Sequence, residues 1–421
     1  MKKLSLNINN KSVFQQNLIY HFKSAKYLFF FNSNNENVNI FAISNSKSIV
    51  ENNWKIGFIS YDYKNHIEQL SSNNTDKIGF PDEFFFTPQL LFEIFEHKII
   101  IHFEEKVFNE DDLRTLVHQL SIQEVEKSET KFVQMLPVVS KDNYLKNVKE
   151  LKNHIQQGDI YEINYCQEYV AQEVDINPID TYFKLNKKSP TPFSCFVKHD
   201  DKFLLSASPE RFIKKQENKI TSQPIKGTIR RGESKDEDEQ LKHELQNDPK
   251  ERSENIMIVD LVRNDLSKIA KRNTVNVEEL CEIYTFPQVH QMISTVSAEL
   301  EVETSFNEII HALFPMGSMT GAPKIRAMEL IEQYENSKRG LYSGTVGYIK
   351  PNGDFDFNVV IRSILYNRST KKMSYFVGSA ITHLSDPEKE YEECLLKAKA
   401  INEVLNKSLP NPSEGGAFVE E

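Results

Sequence analysis

Cysteine is scarce in this sequence: four residues in 421, at positions 166, 195, 281 and 394, with no C-x-x-C pair. That spacing excludes a zinc knuckle or a disulfide framework as the basis of the fold. It fits a reducing, cytoplasmic setting. An excess of basic residues is also missing. Lys and Arg number 51 against 61 Asp and Glu, a net charge of −10, so no unassisted nucleic-acid binding is expected. The start, Met1-Lys2-Lys3-Leu4-Ser5-Leu6-Asn7, carries two lysines with no apolar run behind them, which argues against a signal peptide. The longest early apolar run, 27–31, is far too short to cross a bilayer, so no membrane association is expected. Tryptophan occurs once, as Trp54, and reads as core packing.

Aromatic side chains are plentiful, with 28 Phe and 16 Tyr. With 39% hydrophobic residues the chain can bury a large core, and general disorder is not expected. Its 421 residues suffice for several domains or one large one. Short apolar runs at 27–31, 38–43 and 99–103 read as strands, and the polar stretch 124–131 as a boundary. Further on, Ser140 is placed to cap a helix that runs to Gly158. Strands are expected at 160–170 and 203–208, and a hairpin around 215–219.

That hairpin leads through a strand at 219–225 into Gln223-Pro224-Ile225-Lys226-Gly227-Thr228-Ile229-Arg230-Arg231-Gly232. Lys226 then lies at the strand end with Arg230 and Arg231 close behind. A lysine becomes a nucleophile when burial or nearby cations lower its pKa, and the two arginines are candidates for that field. The charged run 233–254 reads as a solvated helix face, followed by an apolar helical pattern at 256–262. Glu251 and Glu254 share one helix face, as do Glu390 and Glu393 in a helix opening after Asp386-Pro387. An isolated E-x-x-E reads first as surface. Two such pairs meeting across a cleft could hold Mg²⁺ through oxygen ligands.

Between them, Gly317-Ser318-Met319-Thr320-Gly321-Ala322-Pro323-Lys324 reads as a helix start able to receive a carboxylate. It fails the spacing of a phosphate loop. Strands at 341–349 and 356–366 flank the turn Pro351-Asn352-Gly353-Asp354. Arg362, within the second, needs an anionic partner, either a substrate carboxylate or a structural acid. The tail from 408 is expected to be disordered.

Ser208-Pro209-Glu210-Arg211 and the segments 224–232, 251–266, 314–329, 339–362 and 385–394, taken together, resemble the chorismate-utilising enzymes. These include the large subunits of anthranilate synthase and aminodeoxychorismate synthase, and the isochorismate and salicylate synthases. The resemblance covers residues 140–405. It implies an α+β, anthranilate synthase component I-like fold, with two antiparallel sheets packed as a core and helices outside. Residues 1–135 would be a divergent N-terminal region of the same fold, 136–407 the chorismate-binding catalytic region and 408–421 a tail.

The resemblance also implies a Mg²⁺-dependent reaction on chorismate. Glu254 and Glu393 match its metal ligands, with Glu251 and Glu390 beside them. Tyr342 and Arg362 match the residues holding the enolpyruvyl carboxylate. Gly378, Ser379 and Ala380 match a glycine-rich segment at the substrate carboxylates, with Ala380 replacing its last glycine. Ser318 stands where many members have threonine, and Gln291 where many have histidine. Thr228 and Gln291 join the expected substrate-binding set. Lys226 matches the Pro-Ile-Lys-Gly-Thr of aminodeoxychorismate synthase component I, where anthranilate synthases carry alanine. Glu162 stands where isochorismate and salicylate synthases carry a base lysine, which argues against addition of water.

The implied chemistry is attack of Lys226 at C2, protonation of the departing C4 hydroxyl by Glu210, and addition of ammonia at C4. The product, 4-amino-4-deoxychorismate, is a precursor of 4-aminobenzoate and folate. None of the four cysteines has a glycine neighbour, so a separate glutamine amidotransferase is expected to supply the ammonia. Two alternatives stand beside this reading. Lys226 speaks against anthranilate synthase component I. The retained Lys226, Glu210, Glu254, Glu393 and Arg362 speak against a non-catalytic chorismate-binding subunit.

Overall fold

The phenylalanine-rich runs form strands that are covered on both faces. In Tyr27–Asn32, Tyr27 and Phe29 join one apolar cluster with Phe58 and Phe86, while Leu28 and Phe30 join another with Phe14 and Phe41. Successive side chains leave a strand on opposite faces, so a strand buried twice over reads as a continuous apolar run. Each such side chain contributes about 1.5–3 kcal/mol on burial.

A computed structural model of the chain describes residues 1–34, 38–122, 132–286 and 289–405. The expected boundary at 124–131 and the tail from 408 lie outside the described residues. Among the described residues, two antiparallel sheets hold twelve and nine strands, one of each lying off the main run: Leu136–Pro137 beside Glu162–Ala171, and Asn276–Thr285 beside Val289–Glu299. The larger runs from Lys2–Asn7 through Lys98–Phe103, Leu90–Ile94, Asn39–Ser44, Tyr27–Asn32, Phe193–His199, Lys202–Ser208, Ser363–Asn367, Lys372–Ile381 and Glu162–Ala171 to Gly321–Ala322. The smaller runs from Ile225–Arg230 through Val289–Glu299, Lys219–Gln223, Arg211–Gln216, Phe355–Asn358, Thr345–Ile349 and Lys55–Ile59 to Glu83–Phe86. Residues before 135 thus supply strands to both sheets. One apolar cluster unites side chains of the two sheets. The other packs the larger sheet against helices Lys11–His21, Lys141–Gln157, Pro178–Lys188 and Pro387–Leu405. No helix among the described residues is long and apolar enough to cross a membrane.

Local chemistry places several elements where the sequence puts them. Ser140 accepts from the Asn143 amide to start Lys141–Gln157, and Gly158 ends it at φ 84°, the left-handed position glycine favours. The hairpin of Arg211–Gln216 and Lys219–Gln223 forms as expected.

Four expectations are corrected. The strand expected at 219–225 breaks at Pro224, which has no N–H for the ladder, and resumes as Ile225–Arg230 on the same neighbour. Lys226 is therefore inside a strand. The charged run forms two helices, Lys235–Asn247 and Pro249–Ser267, divided at Asp248, which caps the second by accepting from the Lys250 and Glu251 amides. The segment 317–324 is a single tight turn and a two-residue strand, and the helix begins only at Lys324. The run 356–366 divides between sheets: Phe355–Asn358 lies in the smaller and Ser363–Asn367 in the larger. Val359 and Val360 are buried in the crossing, so its apolar pattern never lapses.

A matching crossing occurs at Pro209-Glu210, between Lys202–Ser208 and Arg211–Gln216. The two crossings run side by side. The Val359 amide donates to the Glu210 carbonyl at 3.0 Å, and the Ala207 amide to the Arg362 carbonyl at 3.2 Å.

Candidate active site

Beside these crossings lies a cavity of about 700 Å³. Lys226, Glu210, Tyr342, Arg362, Ser318, Gly378, Ala380, Thr228, Gln291, Glu251, Glu254 and Glu393 all line it. Two expected residues are not among its walls. Ser379 faces the other side of its strand, where its hydroxyl meets Tyr144 Oη at 3.2 Å; the period of two along a strand dictates this. Glu390 is turned to Lys250, 2.9 Å away.

Lys226 is aimed by a bulge. The register passes from Lys226 opposite Met292 to Thr228 opposite Gln291, leaving Gly227 unpaired at φ 80°. A Cβ there would come within 3.1 Å of a Glu251 carboxylate oxygen. Such a bulge re-aims neighbouring side chains, and both Lys226 and Thr228 reach the cavity. The Lys226 ammonium donates to Glu162 Oε1 at 2.5 Å. Burial alone would lower its pKa, but Glu162, Glu254 and Glu210 outweigh burial and hold it above the ordinary lysine value. The expectation of a cationic field is thus corrected. Arg231 is held by Asp238 through Nε at 2.8 Å and Nη2 at 2.6 Å, and Arg230 pairs with Glu237.

Glu210 accepts from Ser318 Oγ at 2.7 Å. Burial pushes its carboxyl up to about 7, against the pull of Ser318, Lys226 and Arg362. Its proton is available near neutral pH, as a general acid requires. Arg362 sits at the crossing with φ 51°. Burial lowers its pKa, with Glu210 opposing. Among the described residues it has no acid within ion-pair distance, so the structural-acid alternative finds no partner. A half-buried guanidinium without an anion suits an incoming carboxylate. Tyr342 stacks on Phe376, ring centroids 4.9 Å apart.

Gly378 is glycine for a reason of packing: a Cβ would lie 2.4 Å from Cys166 Sγ on the neighbouring strand. Ala380, two residues on, also lines the cavity. Gln291 donates through Nε2 to Thr228 Oγ1 at 3.4 Å, and its Oε1 has no hydrogen-bond partner among the described residues. His290 faces away, between Thr285 Oγ1 at 2.9 Å and Asp238 Oδ1 at 3.0 Å.

Opposite stand the acids of Pro249–Ser267 and Pro387–Leu405. The two E-x-x-E pairs meet through Lys250, 2.9 Å from Glu390 and 3.6 Å from Glu254. Lys397 lies 2.6 Å from Glu393 and donates to the Gly378 carbonyl at 2.9 Å. Burial drives Glu254 up to about 8, Lys226 and Lys250 opposing. Glu393 falls below the usual carboxylate range because Lys397 and Lys250 outweigh its burial. Among the described residues no three acids, histidines or cysteines form a ready-made ion site. Glu254 Oε1 and Glu390 Oε2 are nevertheless buried without a hydrogen-bond partner. An all-carboxylate set with orphaned buried oxygens fits a hard divalent cation.

A family model described as chorismate binding enzyme matches residues 13–403. The chain belongs to the chorismate binding enzyme family. It is 33% identical over 375 residues to aminodeoxychorismate synthase component 1 of Bacillus subtilis, covering 84% of this chain and 77% of that one. It is 39% identical over 277 residues to the chloroplastic aminodeoxychorismate synthase of Arabidopsis thaliana, 65% of this chain. It spans less than half the length of its plant relatives, 30% of the Arabidopsis protein and 43% of a rice one. Relatives named anthranilate synthase component 1 are found as well. The crystal structure of anthranilate synthase component I from Streptococcus pneumoniae TIGR4 superposes with a TM-score of 0.73 at 25% identity, over 95% of this chain and 92% of that one. The anthranilate synthase component I-like fold is thereby shown.

Three charged residues of this chorismate binding enzyme's site escaped the sequence reading: Lys250 and Lys397 as partners of the acids, and Glu162 as the partner of Lys226. The lysines had a signal. Lys250–Glu254 and Glu393–Lys397 are spaced i, i+4, the distance at which helix side chains meet. Glu162 had none, because its partner is 64 residues away on the other sheet.

Proposed function

We propose that this chain aminates chorismate at C4 with ammonia, giving 4-amino-4-deoxychorismate and water. The observation that carries the proposal is Lys226, set in the cavity wall within Pro-Ile-Lys-Gly-Thr, with Glu210, raised to about 7, and Arg362, without an ion-pair partner among the described residues, lining the same cavity. The aminodeoxychorismate synthase names among the relatives support it.

In this reading Arg362 and Tyr342 orient the enolpyruvyl carboxylate. Glu254 and Glu393, with Glu251 and Glu390 beside them, would hold Mg²⁺, which supplies electron withdrawal through the ring carboxylate. The Lys226 amine bonds to C2 as the C4–O bond breaks, and Glu210 gives the departing hydroxyl its proton, so water leaves. Ammonia then bonds to C4 while the C2–N bond breaks and Lys226 departs with its electron pair. Glu210 recovers a proton from the new C4 ammonium, which closes the cycle. Gln291 can hydrogen-bond substrate but cannot shuttle a proton near pH 7 as histidine does. The reaction accordingly stops before pyruvate is eliminated.

The ammonia would come from a separate glutamine amidotransferase, for which the word "component" in the Bacillus relative's name is support. The product would feed 4-aminobenzoate and folate synthesis in the cytoplasm. The anthranilate synthase relatives favour a second reading, in which anthranilate and pyruvate are formed; Lys226 argues against it. Chromatography of the products from chorismate, ammonium and Mg²⁺ decides. Aminodeoxychorismate without pyruvate is expected. Anthranilate with stoichiometric pyruvate would establish the second reading, and no consumption of chorismate would leave a binding subunit.

A further inference from the structure

Lys226 enters the cycle as an ammonium, and an ammonium has no lone pair with which to attack. We infer that Glu162 takes that proton, keeps it while Lys226 is bound to C2, and returns it when Lys226 is released. Glu162 is then a positioning residue that acts through Lys226. The inference rests on the reading of Lys226 as the nucleophile.

The geometry favours Glu162 over the other acids. Its Oε1 lies 2.5 Å from the Lys226 nitrogen, with side-chain exposures of 9% for Lys226 and 1% for Glu162. No other carboxylate among the described residues comes within ion-pair distance of that nitrogen. Glu210 faces the same lysine from the sheet crossing, but its Oε1 is taken by Ser318. Glu254, on Pro249–Ser267, acts on Lys226 only through space, as does Lys397 of Pro387–Leu405. Glu251 and Lys250 complete the charged groups of that helix near Glu254.

Glu162 is not among the residues lining the cavity, which Lys226 does line. Its second oxygen, Oε2, is buried with no hydrogen-bond partner among the described residues. A carboxylate with one short charge-assisted bond and one unoccupied oxygen can accept a proton without breaking other bonds. Its backbone is clamped as well. Glu162 pairs with Ala322, the Tyr161 amide donates to the Ala322 carbonyl at 2.7 Å, and Gly321 lies so close that a Cβ would stand 2.2 Å from the Glu162 carbonyl oxygen.

The proton count closes. Glu162 gains one proton as Lys226 becomes a free amine. Lys226 bonds to C2 and becomes a secondary ammonium without shedding a proton. On departure it takes back the electron pair of the C2–N bond, and Glu162 restores the ammonium. Glu210 separately supplies the proton for water and recovers it from the C4 ammonium.

The test is the rate at which chorismate adds to Lys226 in a single turnover with Mg²⁺ and without ammonia, followed by intact-protein mass, alongside steady-state kcat and KM. Glu162→Gln keeps the shape and still accepts a hydrogen bond from Lys226 but cannot take its proton. Its adduct rate and kcat should fall about 100-fold, with KM for chorismate within about threefold of wild type. Glu162→Asp keeps a base on a shorter arm and should lie between, about tenfold down. A Glu162→Gln adduct rate equal to wild type, or a loss confined to KM, overturns the inference and leaves a structural ion pair. If Glu162→Gln fails to fold, wild-type kinetics in Glu162→Asp overturns it equally. A wild-type chain that consumes chorismate with ammonium but forms no adduct removes Lys226 as nucleophile, and the inference goes with it.

Discussion

The cavity has two walls that handle charge differently. On the strand wall, three charged groups each have one side-chain partner or none: Lys226 has Glu162, Glu210 has Ser318, and Arg362 has no ion-pair partner among the described residues. On the helical wall, Glu254 shares Lys250 with Glu390, which does not line the cavity, while Glu393 takes Lys397. The strand wall is held by two sheet crossings and a bulge, so its groups are aimed before a substrate arrives. The four carboxylates of the two E-x-x-E pairs outnumber the two lysines paired with them, and among the described residues Glu254 Oε1 and Glu390 Oε2 are buried without accepting a hydrogen bond. In the proposed function, the first wall makes and breaks bonds and the second receives a cation with a carboxylate attached.

Substitutions on the two walls should therefore fail in different ways. The largest effect is expected from Lys226→Ala, where kcat with ammonium should fall by at least ~10³-fold while the chorismate Kd, read by calorimetry, stays within about threefold. Glu210→Gln should lower kcat by roughly 100-fold. Because burial raises Glu210 to about 7, the acid form is lost as pH rises through that value, and wild-type kcat should fall there while the variant's residual rate does not follow. The same shift has a stability sign. The folded chain holds this proton above the pH where the unfolded chain has released it, so the stabilisation is present below the unfolded carboxylate value and is lost as pH rises through about 7. Scanning calorimetry should show Glu210→Gln gaining Tm over wild type at alkaline pH and losing that gain in acid.

Part of this contrast is legible in the sequence. The helix from Ser140 to Gly158 announces both ends through its caps, and the acids at i, i+3 share faces that do meet. Ser379 was legible too, since alternation alone turns it from the face that Gly378 and Ala380 present. The crossings were not. Val359 and Val360 continue the apolar pattern of a strand, so nothing local shows that the chain changes sheets just before Arg362. Nor was the field at Lys226. The sequence puts Arg230 and Arg231 beside it, while the acids that dominate it arrive from positions 162, 210 and 254. Charge proximity along the chain is a poor guide where tertiary contacts set the field.

Two smaller effects sharpen the contrast. Arg362→Met should raise the chorismate KM by about 10–100-fold, the scale of a lost charge-assisted hydrogen bond, with little change in kcat. Its Tm should not fall, because the guanidinium it removes is half-buried and has no ion-pair partner among the described residues. A fall in Tm would assign Arg362 to structure. On the helical wall, Glu254→Gln should weaken Mg²⁺ and chorismate together, each by about tenfold, as read by titration calorimetry of either with and without the other. Wild-type Mg²⁺ dependence in both this variant and Glu393→Gln would remove these residues from metal binding.

The central claim is that Lys226 on the strand wall bonds to substrate. Peptide mapping by mass spectrometry, on wild-type chain quenched after mixing with chorismate and Mg²⁺ without ammonia, tests it most directly. The account predicts chorismate less one water on the peptide containing Lys226, absent from Lys226→Ala and discharged when ammonium is added before the quench. An unmodified Lys226 peptide from a preparation that converts chorismate with ammonium would contradict it.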